Sequence, residues 1–115
     1  MTAMTPLRKL ACGRACTIRL PGICNGNPET VVLCHYRLVG FSGSGMKSPD
    51  WLAAYGCSAC HAAVDSQTKI AMLRADRQLA LAEAVFRTLD ILIGEGVIVV
   101  SGMTPRVSKI APRAA

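Results

Sequence analysis

The chain has 115 residues with 13 Lys or Arg and 7 Asp or Glu, which gives a formal net charge of +6. This length fits one domain with a modest core, and the positive charge favours polyanions such as nucleic acid or an anionic membrane surface. A membrane-spanning helix is excluded, because the most apolar stretch, residues 91–103, is too short and contains Glu95.

The basic residues near the N-terminus, Arg8 and Lys9, are not followed by an apolar run of signal-peptide length. We therefore expect a protein that is not exported and that lies in the cytoplasm. Its 6 cysteines would then be reduced. This favours thiolates as metal ligands over disulfides.

The first half of the chain predicts strands and turns. Residues 16–24 are rich in β-branched side chains and contain a Pro-Gly turn signal, which predicts a strand and a knuckle between two cysteines. Residues 31–37 are the best strand candidate, with His35 on that strand. A loop rich in Gly and Ser, residues 40–45, separates it from a second apolar run at residues 51–55. We expect a hairpin with a long mobile tip.

The second half predicts helices. The pattern becomes helical after Cys60, and Asp65 lies one turn beyond His61. From about Met72 to Gly94, apolar residues recur every three or four positions, which predicts a long amphipathic helix that contributes to the core. These residues are Leu79, Ala82, Phe86, Leu89 and Ile93.

The polar face of this helix, with Glu83 and Arg87, is interpreted as solvated surface. Residues 97–100 predict a final short strand, and residues 104–115 predict a basic disordered tail. Residues 1–103 would therefore form a single domain.

The spacing of Cys57 and Cys60 places two thiols on one tight turn, where both can bind one metal ion. A thioredoxin-like redox pair would require a βαβ unit, which the chain does not predict. Cys16 and Cys24 flank a second turn and could complete a tetrahedral four-thiolate zinc site. Such a site is structural and contributes roughly 10 kcal/mol or more of apparent binding energy. The alternative is a set of ordinary buried thiols.

The remaining cysteines stay outside this site. Cys12 could in principle replace Cys16 as a ligand, and Cys34 is interpreted as a small apolar residue in a strand.

The chain has 2 histidines, one on the predicted strand and one directly after Cys60. Four residues apart on a helix, His61 and Asp65 lie on one face and could hold a divalent ion with open positions for water and phosphate oxygens. His35 would act as general base toward the attacking water. Alternatively, His61 is a zinc ligand or a surface residue, and His35 is a satisfied structural group.

At these residues the chain resembles the small nucleases encoded by lambdoid phages and prophages, a branch of the HNH or His-Me finger endonucleases. The longest segments that carry the resemblance are Ile18-Arg-Leu-Pro-Gly-Ile-Cys24-Asn-Gly-Asn-Pro-Glu-Thr30, Val32-Leu-Cys-His35, and Cys57-Ser-Ala-Cys60-His61 through Asp65. Shorter matches are Leu7-Arg-Lys-Leu-Ala, Arg14-Ala-Cys16, Arg37-Leu, the loop rich in Gly and Ser, and Pro49-Asp50. The resemblance implies an α+β fold with a zinc-braced ββα-metal core and a long C-terminal helix.

By this resemblance, His35 is the general base, and His61 holds the catalytic metal ion with help from Asp65. The zinc ligands would be Cys16, Cys24, Cys57 and Cys60. Most HNH proteins have Asp or His directly before the base histidine, where this chain has Cys34. Asp65 would take over that ligand's role. The middle Asn of the motif is not evident, and Asp50 is the candidate that would orient His35 or the loop.

The resemblance therefore implies a phage-encoded endonuclease of bacterial cells, and together with the placement of the histidines it predicts hydrolysis of DNA phosphodiesters with Mg²⁺ or Mn²⁺. The phosphate backbone would be held by Arg37, Lys47, Arg14 and Arg19. One alternative is a non-catalytic zinc-ribbon module that binds DNA. Another is an accessory subunit of a phage recombination complex, which would form oligomers through the apolar long helix.

Overall fold

The computed structural model describes residues 5–38, 40, 48–65 and 72–106. These residues form a small α+β fold with a two-stranded sheet and a long C-terminal helix, as predicted. Its elements are α1 (Pro6–Ala11), β1 (Val32–His35), β2 (Ala53–Gly56), α2 (Ser58–Val64) and α3 (Arg74–Gly94). Within the described residues, no helix is both long and apolar enough to span a membrane.

The two strands form an antiparallel hairpin, as predicted. Their register places Val32 opposite Gly56 and His35 opposite Ala53. Gly56 is required by close packing, because an added Cβ would lie 2.5 Å from Sγ of Cys34. The predicted tip of the hairpin falls largely on residues 39 and 41–47, outside the described residues.

The prediction of a strand over residues 16–24 is wrong. This segment forms bends and a turn, with Arg19 at a positive φ of 52°. The backbone N–H of Arg19 points to Sγ of Cys16 at 3.4 Å, and that of Cys24 bonds the carbonyl of Leu20 at 2.9 Å. Because these N–H groups turn inward, they cannot form a ladder with a neighbouring strand. The predicted knuckle is therefore present without the strand.

Helix α2 begins at Ser58, directly after the second strand and earlier than the sequence pattern predicted. Cys57 is its N-cap, and the cysteine sulfur accepts the backbone N–H of Cys60 at 3.4 Å. Asp65 is its C-cap residue and bonds the carbonyl of His61 through its own N–H. The helix thus carries metal-ligand candidates at both ends.

Helix α3 packs across β2, and its buried residues are Leu81, Ala84, Val85, Thr88, Ile91 and Leu92. The predicted stripe is therefore rotated, since Leu79 is 59% exposed and Phe86 is 68% exposed. A buried hydroxyl pair positions the helix on the sheet, with Oγ1 of Thr17 and Oγ1 of Thr88 separated by 2.9 Å. Both hydroxyls also contact the backbone of Tyr55.

The predicted strand at residues 97–100 is also wrong. The N–H of Val97 bonds the carbonyl of Leu92, and the N–H of Gly96 bonds that of Ile93. With Gly96 at a φ of 76°, this pattern is a Schellman cap that closes the end of α3. Arg106 then bonds Asp90 at 3.0 Å, and residues 107–115 of the predicted tail lie outside the described residues.

Candidate functional site

The four cysteines that were predicted to bind zinc meet in one cluster, Cys16, Cys24, Cys57 and Cys60. Their sulfur atoms all lie within 4.8 Å of one another. Two come from the knuckle before β1 and two from the turn that begins α2. Three are buried and Cys24 is half-buried, so the fold holds the sulfur atoms together away from bulk water.

The chemistry of this cluster fits a metal ion. A hydrogen bond with the thiol of Cys60 is the main cause that lowers the pKa of Cys16, and the N–H of Arg19 adds to it. The same hydrogen bond raises the pKa of Cys60. Four sulfurs at this separation cannot all be thiolates unless a cation compensates their charge. These residues could therefore hold a metal ion with no open position.

The two remaining cysteines lie apart from this cluster. Cys34 is 1% exposed, and burial raises the pKa of its thiol to about 12. It is therefore a neutral apolar residue, in agreement with its interpretation from the strand pattern. Cys12 is exposed and lines a cleft described below.

His35 stands at the end of β1, next to the loop that leads to β2. Its Nε2 lies 2.7 Å from Oδ1 of Asp50. The sequence had indicated Asp50 as a candidate to orient His35, and the structure places the two side chains in contact.

Asp50 is held from three directions. Burial raises its pKa, but hydrogen bonds from Thr5 and His35 and the charge of Arg8 together lower it below its ordinary value. Thr5 donates its hydroxyl to Oδ2, and Nε of Arg8 lies 3.5 Å from Oδ1. Because an ionised carboxylate only accepts, Nε2 of His35 must donate, and in the neutral imidazole this leaves the lone pair on Nδ1.

His61 and Asp65 face each other on α2, as the spacing of four residues predicted. Nε2 of His61 lies 3.0 Å from Oδ2 of Asp65, and the side chains are 37% and 25% exposed. Imidazole nitrogen and carboxylate oxygen at this separation can bind the same divalent ion while leaving other positions open.

Two adjoining clefts bring these groups together, and both are lined by His35, Arg37 and Asp65. The first, of about 350 Å³, runs toward the start of α3 and is also lined by Tyr36, Val64, Arg74, Arg77, Gln78 and Leu81. The second, of about 610 Å³, runs toward α1 and is also lined by Arg8, Cys12, Glu29, Val31, Val32, Leu33 and His61.

The four residues that were predicted to contact phosphate do not all lie at the clefts. Arg37 lines both clefts, and Lys47 lies outside the described residues. Arg14 donates to both carboxylate oxygens of Glu95, at 2.6 and 2.7 Å. Arg19 lies in the cysteine knuckle, where its Nε bonds the carbonyl of Cys16.

Sequence reasoning missed three arginines that line the clefts, Arg8, Arg74 and Arg77. A signal was available for the last two, because both lie in the first turns of α3. Lys and Arg are unfavourable at that end of a helix, so their presence there called for an explanation beyond helix stability.

Comparisons with known proteins agree with one another. A family model described as "Putative nuclease YbcO" matches residues 5–97. "Putative nuclease YbcO" of Escherichia coli (strain K12) and "Putative nuclease ybcO" of Enterobacteria phage 82 are each 50% identical over 95 residues, which covers 83% of this chain and 98% of each relative. A solved structure, "Structure of a putative bacteriophage protein from Escherichia coli str. K-12 substr. MG1655", is 43% identical with a TM-score of 0.67, and the match covers 79% of this chain and 100% of that chain. The family match includes the cysteine cluster and both clefts.

Proposed function

The chain belongs to the family described as "Putative nuclease YbcO", and on this basis we propose that it is a metal-dependent endonuclease that hydrolyses DNA phosphodiesters. The observation that supports this most directly is the shared cleft of His35, His61 and Asp65. The oriented imidazole of the proposed base and the candidate site for a divalent ion thus open onto the same cleft.

His35 is the proposed general base. The contact with Asp50 fixes Nε2 as the donor, so the lone pair of Nδ1 can take a proton from a water that attacks phosphorus. The imidazolium that forms would be stabilised by the carboxylate of Asp50. Thr5 and Arg8 keep that carboxylate in place from α1 and its cap.

His61 and Asp65 are the proposed ligands of the catalytic ion, Mg²⁺ or Mn²⁺. When bound there, the ion would stabilise the negative charge that develops on the phosphate oxygens. Asp65 would replace the ligand that HNH proteins carry before the base histidine. Cys34 cannot serve in that role, because its thiol is buried and its pKa is raised.

We further propose that the ion in the cysteine cluster is zinc and that it braces the site. Cys57 begins α2 and Cys60 lies within it, directly before His61. A tetrahedral zinc site would therefore hold the turn that positions the catalytic-metal ligands. The chain order β1, β2, α2 is that of a ββα-metal unit, which supports assignment to the HNH or His-Me finger class.

Cleavage of labelled single-stranded, duplex and four-way-junction DNA with Mg²⁺ or Mn²⁺ tests this function. The unsubstituted protein is compared with the His35→Ala variant. Both are prepared in the same way and checked for equal metal content. Metal-dependent cleavage that the substitution abolishes supports the proposal. DNA binding with no cleavage, or cleavage that is equal in both proteins, would instead favour a zinc-ribbon binding module or an accessory subunit.

A further inference from the structure

Most arginines of the described residues are held within the protein. Of the 8 arginines in this part of the chain, 5 have a carboxylate or carbonyl partner. The partners are Asp50 for Arg8, Glu95 for Arg14, the Cys16 carbonyl for Arg19, the Thr17 carbonyl for Arg87, and Asp90 for Arg106. These five side chains therefore form contacts within the fold.

The other three are Arg37, Arg74 and Arg77, and all of them line the first cleft. Within the part of the chain that the structure describes, no side-chain hydrogen bond or ion pair engages their guanidinium groups. Asp65 is the carboxylate of this cleft. Among the described residues, three cations with no partner therefore face a cavity that contains one acidic group, an arrangement that attracts an anionic ligand.

Helix stability does not account for Arg74 and Arg77. They occupy the first and fourth positions of α3, where the helix dipole is positive. Cations at this end reduce the stability of the helix. The same dipole adds to the positive potential that an anion in the cleft would experience.

The second cleft differs in charge. Its floor is formed by apolar residues of β1 and the segment before it, Val31, Val32 and Leu33. Arg37 also lines this cleft, but Glu29 adds a negative charge, and Arg8 is bonded to Asp50. The two sides of His35 are therefore unequal in their ability to hold phosphate.

We propose that Arg37, Arg74 and Arg77 bind consecutive phosphates of a nucleic-acid strand on one side of the scissile bond. This inference rests on the proposed nuclease function and specifies how its substrate lies. The strand runs from the start of α3 across His35 toward α1. Phosphates on the α3 side are held by charge, and the nucleotides on the α1 side contact an apolar surface.

The salt dependence of binding tests the role of these arginines. Labelled DNA is titrated with the full chain carrying His35→Ala, so that it stays intact, and with the same chain carrying Arg74→Gln and Arg77→Gln. Each lost phosphate contact should reduce the slope of log K against log salt by about 0.7 for a single strand or 0.9 for a duplex. Lys9→Gln is the matched control, because Lys9 is exposed on α1 and lines neither cleft.

A phosphate scan tests the one-sided arrangement. In a DNA strand whose cleavage position is known, a neutral methylphosphonate replaces one phosphate at a time. Binding should weaken severalfold at two or three consecutive phosphates on one side of that position, and the weakening should disappear in the double variant. An unchanged salt slope, or equal losses on both sides, would overturn the inference even if cleavage is normal. If the unsubstituted protein cleaves no DNA, the proposed catalysis is contradicted, whereas a reduced salt slope in the double variant would still support phosphate binding by these arginines.

Discussion

Nε2 of His35 and Oδ1 of Asp50 lie 2.7 Å apart, although 15 positions separate the two residues in the chain. The carboxylate belongs to the loop before β2 and is itself bonded by Thr5, the N-cap of α1. Three segments of the chain thus meet at the carboxylate of Asp50, which contacts the imidazole. The orientation of this side chain, the proposed general base, therefore depends on the tertiary structure.

Replacement of Asp50 by Asn should slow cleavage without weakening DNA binding. The amide keeps the shape of the side chain but lacks the charge that stabilises a protonated His35. We expect kcat to fall by at least about tenfold, up to the full general-base contribution of about 10²–10⁴. The KM for DNA should change little.

The matched control for this variant is Asp90→Asn, since Asp90 pairs with Arg106 and lines neither cleft. Its cleavage rate should equal that of the unchanged protein. A similar kcat in both variants would show that Asp50 does not assist His35.

Cys60→Ser should remove the metal ion and destabilise the fold. Structural zinc sites contribute about 10–16 kcal/mol of apparent binding energy at neutral pH, so the loss of one thiolate should prevent stable folding or lower Tm strongly. Metal analysis should find about one zinc per chain before the substitution and much less after it. Cys12→Ser is the control, because Cys12 is exposed and outside the cluster. A folded protein that contains no zinc would contradict the proposal that zinc braces the site.

Glu95→Gln should make stability less dependent on pH in the acid range. Hydrogen bonds from Arg14 lower the pKa of Glu95, more than its partial burial raises it. A carboxyl group whose pKa is lowered by folding stabilises the protein above its unfolded pKa, and this contribution is lost as the pH falls through the folded pKa.

We therefore expect Glu95→Gln to reduce the free energy of unfolding by about 1 kcal/mol or less at pH 7, because the pair is partly exposed. The difference from the unchanged protein should shrink as the pH falls below about 4. Thermal unfolding at several pH values measures it, with exposed Glu83→Gln as the control. A difference that grows toward acid pH would be inconsistent with the ion pair.

Two leucines two positions apart on α3 test the orientation of that helix. Leu81 is 8% exposed and packs in the core, whereas Leu79 is 59% exposed. Leu81→Ala should reduce the free energy of unfolding by about 2–5 kcal/mol, because it leaves a cavity. Leu79→Ala should change it by no more than about 0.5 kcal/mol. Equal losses in denaturant unfolding would mean that the exposed face of α3 is covered in solution, as an oligomer through this helix would require.

Local features of this chain were predictable from the sequence because short-range geometry determines them. The spacing of Cys57 and Cys60 gives two thiols on one turn, and the spacing of His61 and Asp65 gives one helical face. The four-cysteine cluster, the hairpin and the extent of α3 followed from such patterns. The resemblance to phage nucleases used the same segments and is supported by the family match.

The tertiary structure decided what these patterns leave open. Helical periodicity gives the angles between side chains but not the rotation of the helix against the sheet, so Leu79 was expected in the core where Leu81 lies. The contact of His35 with Asp50 and the position of Arg77 in the cleft depend on how distant segments pack. Such contacts bring residues together across loops whose path no local pattern determines, which is why the sequence indicated candidate groups while the fold determined their partners.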